Sequence, residues 1–159
     1  MITAQQVKEL RDRTGISMMD CKDALGEASG DVEKAIEILR KKSIIKAEKK
    51  SARATNEGAI VAGGRSNSYF LIEVNTETDF AANDQEFKKF LTELKEFCES
   101  NKLNDLEDLQ KKFNDKILEI IQKIGENIKI SYFKKITSDS DNVYTYVHSD
   151  NKLASLVHL

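Results

Sequence analysis

The feature that most constrains this sequence of 159 residues is a change of hydrophobic period between residues 70 and 98. At first every second residue is strongly apolar, in the order Phe70, Ile72 and Val74, which is typical of a strand with one buried face. Apolar residues then recur at intervals of three and four, as in an amphipathic helix. These helical positions are Phe87, Phe90, Leu91, Leu94 and Cys98. The sequence therefore predicts a strand that leads through a short turn into a helix.

The joining segment, residues 76–84, has the sequence TETDFAAND, and we call it the elbow. Asn83 followed by Glu86 has the spacing of a helix N-cap and its reciprocal acidic residue. This spacing predicts that Asp79 and Phe80 lie in the turn before the helix, where the backbone has few regular partners.

Two interpretations of Asp79 and Phe80 follow from this position. In the first, the phenylalanine packs back onto the first helical turn, against Phe87, and the aspartate is a cap. On local pattern alone this is the more common arrangement. In the second, a rigid elbow presents the acid and the aromatic ring together, as a wedge that enters a partner and disturbs a cation or phosphate site there.

Composition limits the classes of protein to which the chain can belong. Hydrophobic residues make up 40% and charged residues 33%, which allows both a core and solubility. The net charge of -2 argues against a dedicated nucleic-acid binder. The sequence contains no apolar run near the roughly 20 residues that span a membrane, and residues 1–10 do not resemble a signal peptide. Two distant cysteines, Cys21 and Cys98, are expected to be buried and reduced, in a cytoplasmic protein.

Residues 1–40 are predicted to form three short helices with a very small core. Thr3, Ser17 and Asp31 are at predicted helix starts, and Gly15 and Gly30 are at predicted helix ends. Residues 41–56 are strongly basic, and Glu48 is their only acidic residue. We interpret them as a solvated helical linker. A phosphate-binding arm is the alternative.

Residues 57–159 alternate between strand and helix patterns. A turn-rich cluster at residues 63–67 predicts a hairpin, and a second helix is expected from Asp105 to Gly125. The next strand is predicted to have Ile128, Ile130, Tyr132 and Ile136 on one face. A turn at residues 138–142 and strands at 143–148 and 153–159 follow. The predicted fold class is α+β, with an antiparallel sheet and a helical pair on one face.

The sequence offers no convincing catalytic constellation. It has neither a nucleophile elbow nor a dinucleotide fingerprint, and Gly63-Gly64 is too short for a phosphate-binding loop. His148 and His158 with the two cysteines lack the close cysteine pair of a zinc site. We therefore predict no enzyme activity, no metal and no cofactor, which leaves protein–protein interaction as the expected function.

Three blocks, in order along the chain, carry a resemblance to a known family. They are residues 7–15 (VKELRDRTG) with 18–22 (MMDCK), residues 78–84 (TDFAAND) with Phe87, and residues 123–128 (KIGENI). Together they resemble elongation factor Ts, the guanine-nucleotide exchange factor for elongation factor Tu. The resemblance implies a ubiquitin-associated-type (UBA-like) module at residues 1–40, a linker at 41–56 and a core subdomain at 57–159.

The resemblance also implies a function in translation elongation. The protein would bind GDP-bound and nucleotide-free elongation factor Tu and promote GDP release, without covalent chemistry. It would bind no nucleotide, nucleic acid or membrane itself.

Site residues are implied by position within the matching blocks. Asp79 and Phe80, after Thr78, match an acid–aromatic pair that intrudes near the partner's magnesium site, and Asn83 matches a position that supports the elbow. Ile124, Gly125 and His148 match positions that approach the partner's phosphate loop. Four residues match the module that grips the partner's nucleotide-binding domain, namely Val7, Arg11, Met18 and Met19. From pattern alone, core packing is the preferred interpretation of the methionines.

The sequence departs from the family pattern in three places. Ala82 stands where a basic residue is usual, and Ser149-Asp150-Asn151 replaces a more glycine-rich turn. The sequence given ends at Leu159, where most members continue into a second, similar subdomain. We therefore expect a short or truncated form with a free sheet edge, and a homodimer formed through that edge.

One alternative function comes from another class of protein. The three N-terminal helices alone would suit an adaptor that binds ubiquitin-like proteins or peptides and has no exchange activity. Such an adaptor would need neither the elbow nor the block around Gly125. A small enzyme would need a pocket with perturbed titratable groups, and the sequence shows no candidate.

Overall fold

The computed structural model describes residues 2–101, 103–139 and 142–159. It divides into two compact units between Ala52 and Arg53, and each unit is described by itself. No helix in the described ranges is long and apolar enough to cross a membrane.

The N-terminal unit contains α1 (Ala4–Thr14), α2 (Met18–Glu27) and α3 (Val32–Lys50). The side chains of Thr3, Ser17 and Asp31 each accept a hydrogen bond from the first turn of the following helix, which confirms the three predicted helix starts. Gly15 ends α1 at φ 69°, a left-handed conformation that favours glycine.

The helices bury a small apolar core. Its members are Val7, Leu10, Ile16, Cys21, Ala24, Leu25, Ala28, Ala35 and Leu39. Small side chains on α2 and α3 let the helices approach closely, which is how so few residues fill the space between three helices.

Helix α3 continues through the predicted boundary at residue 40. Leu39, Ser43 and Ala47 are all buried, so the inward-facing stripe runs on at intervals of four residues. Lys46 also pairs with Asp20 of α2, with 3.0 Å between Nζ and Oδ1. The basic segment is therefore helical and packs as part of α3 up to Lys50. The functional division at residues 40 and 56 stays a prediction.

The C-terminal unit is built on three antiparallel strands in the order β1-β2-β3, namely β1 (Glu57–Arg65), β2 (Ser68–Thr76) and β3 (Ile128–Thr137). A short helix, α4 (Asp79–Asn83), follows β2. Helices α5 (Gln85–Ser100) and α6 (Leu106–Ile124) pack against β1 and β3 respectively. Edge-to-face contacts of Phe113 with Phe90 and Phe97 join the two helices. The α+β prediction is confirmed, and the inward faces of β2 and α5 are those predicted.

The β1–β2 hairpin is tighter than the sequence predicted. Only Ser66 and Asn67 form the loop, at φ 51° and 69°, which suits a two-residue turn with both central residues left-handed. Gly63 and Gly64 belong to β1 instead. A Cβ at Gly63 would lie 2.9 Å from Glu99 Oε1 and 3.1 Å from the ring of Phe70, so the neighbouring side chains would have to move to accept a larger residue.

A β-bulge corrects the predicted face of β3. Val74 pairs with Ile130 and Glu73 with Tyr132, so Ser131 is the extra residue. Ile128 and Ile130 are buried as predicted, but Tyr132 is 46% exposed. An inserted residue moves every later side chain to the opposite face, and simple alternation does not reveal it.

The last two strands do not extend the sheet. β4 (Val143–Val147) and β5 (Ala154–His158) form a separate two-stranded antiparallel hairpin, which corrects the prediction of one sheet. Alternation along a strand shows which face is buried but not which strand it pairs with. Parts of two predicted connections lie outside the described residues. They are Ser140 and Asp141, in the predicted turn at 138–142, and Lys102, in the predicted connection between the two helices.

Candidate functional site

The elbow begins with two threonines that fix the chain as it leaves β2. Thr76 is fully buried, and its hydroxyl donates to the backbone oxygen of Thr78 at 2.8 Å. The Thr78 hydroxyl accepts a hydrogen bond from the backbone N–H of Ala81 at 3.3 Å. Thr78 is thereby the N-cap of a five-residue helix, α4 (Asp79–Asn83).

The short helix α4 has an inner and an outer side. Ala81 and Ala82 are 3% and 8% exposed, and they anchor the helix against the rest of the unit. Phe80, on the other side, is 84% exposed, and Asp79 is exposed beside it. Because so little of the ring is buried in the free protein, a partner that covered it would gain nearly the full free energy of burying a phenylalanine.

The structure excludes the first interpretation of Phe80. A staple would place its ring on the first turn of α5, but Phe87 is fully buried and the Phe80 side chain points into solvent. The staple interpretation is therefore wrong. Its local pattern was misleading because residues 79–83 form a helical turn of their own, in which the alanines occupy the inward positions.

Asn83 has a different role from the one its spacing predicted. It is the last residue of α4, and Asp84 is the N-cap of α5, accepting from Glu86 N at 2.7 Å. The Asn83 amide instead donates to the backbone oxygen of Asp79 at 3.0 Å. Asn83 thus closes α4 back on its own first residue.

The block at the end of α6 lies directly against the elbow. Thr78 donates from its backbone N–H and its hydroxyl to the Glu126 carboxylate, at 3.0 and 2.7 Å. In the other direction, the backbone N–H of Asn127 donates to Glu77 Oε1 at 2.6 Å. The two loops therefore exchange carboxylate hydrogen bonds, and we call this arrangement the carboxylate clamp.

Arg53 completes the clamp. Its Nη1 lies 3.4 Å from Glu77 Oε1, and its backbone oxygen accepts from Asn127 Nδ2 at 3.0 Å. The Asn127 side chain is 4% exposed overall, so this polar cluster lies at the edge of the core, where hydrogen bonds to charged groups are strong.

Ile124 and Gly125 form the turn that precedes the clamp. Gly125 caps α6 at φ 86°, with its N–H 2.8 Å from the backbone oxygen of Ile121. A Cβ at Gly125 would meet nothing within 4 Å, so backbone conformation rather than crowding favours glycine. Gly125 is exposed and Ile124 is half-buried, and Glu126 joins this turn to the elbow.

Lys123 connects the same end of α6 to the start of α5. Its Nζ lies 2.7 Å from Glu119 Oε1 and 3.3 Å from Glu86 Oε2. The hydrogen bond to Glu119, followed by the charges of both acids, raises the pKa of Lys123. Hydrogen bonds from Lys89 and then Lys123 lower the pKa of Glu86. The helix ends beneath the elbow are thus held by paired charges.

His148 lies elsewhere in the C-terminal unit, just after β4. Its Nδ1 is 2.9 Å from Asp150 Oδ1, and its ring contacts that of Tyr146. The Lys152 backbone N–H and then His148 lower the pKa of Asp150. Among the described residues, no hydrogen bond or ion pair joins His148 to the elbow.

The four predicted site residues of the N-terminal unit have mixed environments. Met18 and Met19 are 43% and 66% exposed, which corrects the preferred interpretation that they pack in the core. They lie in the first turn of α2, before its buried residues Cys21, Ala24 and Leu25. Arg11 is exposed, but Val7 is 7% exposed and belongs to the core. Val7 can therefore shape this surface and does not itself present a side chain on it.

The remaining candidates for chemistry are metal-ligating groups and the two cysteines. The described ranges contain no group of three or more His, Cys, Asp or Glu residues that could hold a metal ion. Cys21 and Cys98 are free and buried, and burial raises the pKa of Cys98 to about 12. The Cys98 thiol is therefore un-ionised at neutral pH.

Sequence reasoning missed the residues that join the elbow to the turn after α6. Glu77, Glu126, Asn127 and Arg53 were not predicted to interact, because they are separated by 24 to 74 positions. One usable signal was present: Glu126 and Asn127 directly follow the glycine that ends α6, so they were expected in a connection between regular elements.

Comparison with known proteins gives a consistent result. The family model described as elongation factor TS matches residues 77–159, which include the elbow from Glu77 onward and both clamp acids. The elongation factor Ts of Clostridium acetobutylicum is 40% identical over 171 aligned residues, covering 100% of this chain and 55% of that protein. That of Hahella chejuensis is 45% identical over 161 residues, covering 99% and 56%. The chain thus spans little more than half the length of these curated relatives.

Proposed function

Because the chain belongs to the elongation factor Ts family, we propose that it is a guanine-nucleotide exchange factor. In this proposal it binds elongation factor Tu, in the GDP-bound and nucleotide-free forms, and promotes GDP release during translation elongation. We accordingly propose a cytoplasmic location. The observation that carries the proposal is the 84% exposure of Phe80 on an elbow that the rest of the unit holds in place.

The proposed mechanism is thermodynamic coupling and makes or breaks no covalent bond. An exchange factor binds the nucleotide-free partner more tightly than the nucleotide-bound one, and the partner's affinity for nucleotide falls by the same factor. Each tenfold loss of nucleotide affinity requires about 1.4 kcal/mol of differential binding. Burying one phenylalanine contributes roughly 1.5–3 kcal/mol, so Phe80 and a few supporting contacts are sufficient for a change of orders of magnitude.

Within this mechanism, Asp79 and Phe80 enter the partner near its magnesium site. The ring supplies apolar burial, and the carboxylate adds repulsion towards the magnesium-bound phosphates. Thr78 and Asn83 support this pair indirectly. Thr78 caps α4, and the Asn83 side chain donates to the backbone oxygen of Asp79 at the start of the same helix. Both alanines of α4 remain in the core, so the wedge is supported from below.

Ile124, Gly125 and His148 are proposed to contact the partner's phosphate-loop side. The clamp supports this for Ile124 and Gly125, because it ties their turn to the elbow. In the N-terminal unit, Arg11, Met18 and Met19 are proposed to grip the nucleotide-binding domain, with Val7 beneath them. Exposed methionines are flexible and polarisable, which suits an adaptable contact.

We also propose self-association through the hairpin β4–β5. Among the described residues, strand β5 pairs only with β4. The hairpin itself carries exposed apolar side chains, including Tyr144, which is 60% exposed, and Val157, which is 45% exposed. A free edge beside such a face favours pairing between chains. Sedimentation that remains strictly monomeric at high protein concentration would rule this out.

One alternative has an observation in its favour. The exposed Met18 and Met19 would also suit an adaptor that binds peptides or ubiquitin-like proteins through α2. Capture from bacterial lysate separates the two functions, because only the exchange factor should enrich elongation factor Tu through a surface that includes Phe80.

The test of the exchange proposal is release of a fluorescent GDP analogue from elongation factor Tu, followed by stopped flow with increasing amounts of this protein. The proposal predicts a release rate that rises with concentration and saturates. A release rate that stays at the value of elongation factor Tu alone would refute it.

A further inference from the structure

We infer that Glu126 and Glu77 are positioning residues, which hold Phe80 and the Ile124–Gly125 turn as one rigid contact element. The inference rests on the proposed function only in naming elongation factor Tu as the partner to which the element is offered. The geometry of the clamp carries the rest.

The first argument is reciprocity. The Glu126 side chain reaches the elbow and binds Thr78 twice, while the Glu77 side chain leaves the elbow and binds the backbone of Asn127. Movement of either loop away from the other breaks at least three hydrogen bonds to carboxylates at once. Hydrogen bonds with an ionised acceptor are about twice as strong as neutral ones.

The second argument concerns the groups that the carboxylates satisfy. Thr78 precedes α4 and Asn127 precedes β3, so neither backbone N–H has a partner within a regular element. Both residues are at least partly buried. A buried N–H that loses its acceptor destabilises the folded state. Separation of the two loops is therefore unfavourable.

The third argument is the size of α4. Five residues are far too few for a helix to be stable by itself. Its N-cap is Thr78, the residue that Glu126 holds, so the direction of the Phe80 ring depends on the clamp. A ring on a mobile loop would lose conformational entropy on binding, and the wedge would be weaker for the same contacts.

The experiment compares Glu126→Gln and Glu77→Gln with a matched control, Glu107→Gln. Glu107 also carries a carboxylate in a short ion pair, with Lys111, but lies on the exposed first turn of α6. We expect each clamp variant to lower the saturating rate of GDP release by about tenfold, or about 1.4 kcal/mol, and to leave the half-saturating concentration within about twofold. The control should release GDP at the rate of the unaltered protein.

A second readout does not require elongation factor Tu. Amide hydrogen exchange in the free protein should accelerate at Thr78 in Glu126→Gln and at Asn127 in Glu77→Gln, with Ile72 and Val74 unchanged. Thr78→Ser keeps both donors to Glu126 and should leave amide exchange at residue 78 slow. The effects of Thr78→Val and Glu126→Gln should be less than additive, because the two side chains share one interaction.

The outcomes separate this inference from the proposed function. If the unaltered protein does not accelerate GDP release, the proposed function fails and hydrogen exchange alone judges the clamp. Unchanged amide exchange at Thr78 in Glu126→Gln would overturn the inference. So would faster amide exchange with an unchanged saturating release rate, because the clamp would then be structural and without influence on the contact element.

Discussion

Thr78 donates two hydrogen bonds to the carboxylate of Glu126, from its backbone N–H at 3.0 Å and from its hydroxyl at 2.7 Å. The two residues are 48 positions apart in the chain. Their contact brings the segment that bears Phe80 against the turn that contains Gly125. Two of the three sequence blocks that resemble the family are therefore neighbours in space, which supports the proposal that both contact one partner.

The protein itself should bind no guanine nucleotide. Gly63 and Gly64, the only paired glycines, lie within β1, and the space beside them is filled by Glu99 and Tyr69 side chains. A phosphate-binding loop needs free backbone N–H groups at the start of a helix, which this strand does not offer. Calorimetry with GDP and no partner should show no binding heat, and a saturable signal would contradict the account.

The N-terminal unit should unfold independently when its core is damaged. Leu25 is fully buried among three helices, and Leu25→Ala should cost about 2–5 kcal/mol, which is a large share of what so small a core supplies. Ile45→Ala is the control, because Ile45 is 51% exposed and should cost within about 0.5 kcal/mol.

Residue-resolved hydrogen exchange provides the measurement. In Leu25→Ala, protection should fall in α1 to α3 and persist in β2 and α5. Equal loss of protection in both units would show that the boundary is misplaced.

The sequence predicted what local patterns determine. Helix starts at Thr3, Ser17, Asp31 and Asp105 follow from side chains that satisfy the first N–H groups nearby in sequence. The inward faces of β2 and α5 follow from hydrophobic period. The same reasoning placed the start of α5 at Asn83, one residue early, because two capping residues stand side by side and only the structure shows that α4 ends between them.

The errors share a physical cause, which is dependence on contacts distant in the chain. The bulge at Ser131 and the separate hairpin β4–β5 depend on which strands pair. The alternation of apolar and polar residues along one strand does not show which strand it pairs with. The exposure of Met18 depends on how α1 and α3 approach α2. The clamp depends on side chains that meet only after the sheet has formed.

Stability should fall as pH rises through the range where Cys98 ionises in the unfolded chain. Burial raises the pKa of Cys98 from its ordinary value of 9.0 to about 12. Above pH 9 the unfolded chain loses the thiol proton while the folded protein keeps it, so proton loss favours unfolding until about pH 12.

Chemical denaturation at pH 8 and pH 10, with Cys98→Ala as the comparison, measures this contribution. The unaltered protein should lose more stability between the two pH values than the variant does. Identical losses would show that the Cys98 thiol is not buried as described.

The most direct test of the central claim is Phe80→Ala, measured in two ways on the same sample. Because the ring is 84% exposed, its removal should change the free energy of unfolding by less than about 0.5 kcal/mol. Loss of about 1.5–3 kcal/mol of burial against elongation factor Tu should slow saturating GDP release by about 10- to 100-fold. Asp79→Ala should act in the same direction but more weakly.

Tyr132→Ala is the matched control, because it removes an aromatic ring that is 46% exposed on β3 and should leave release unchanged. Chemical denaturation and stopped-flow release of a fluorescent GDP analogue give the two numbers. The account predicts near-normal stability with slow release for Phe80→Ala. Strong destabilisation with normal release per folded molecule would contradict it, and would return Phe80 to the core of the protein.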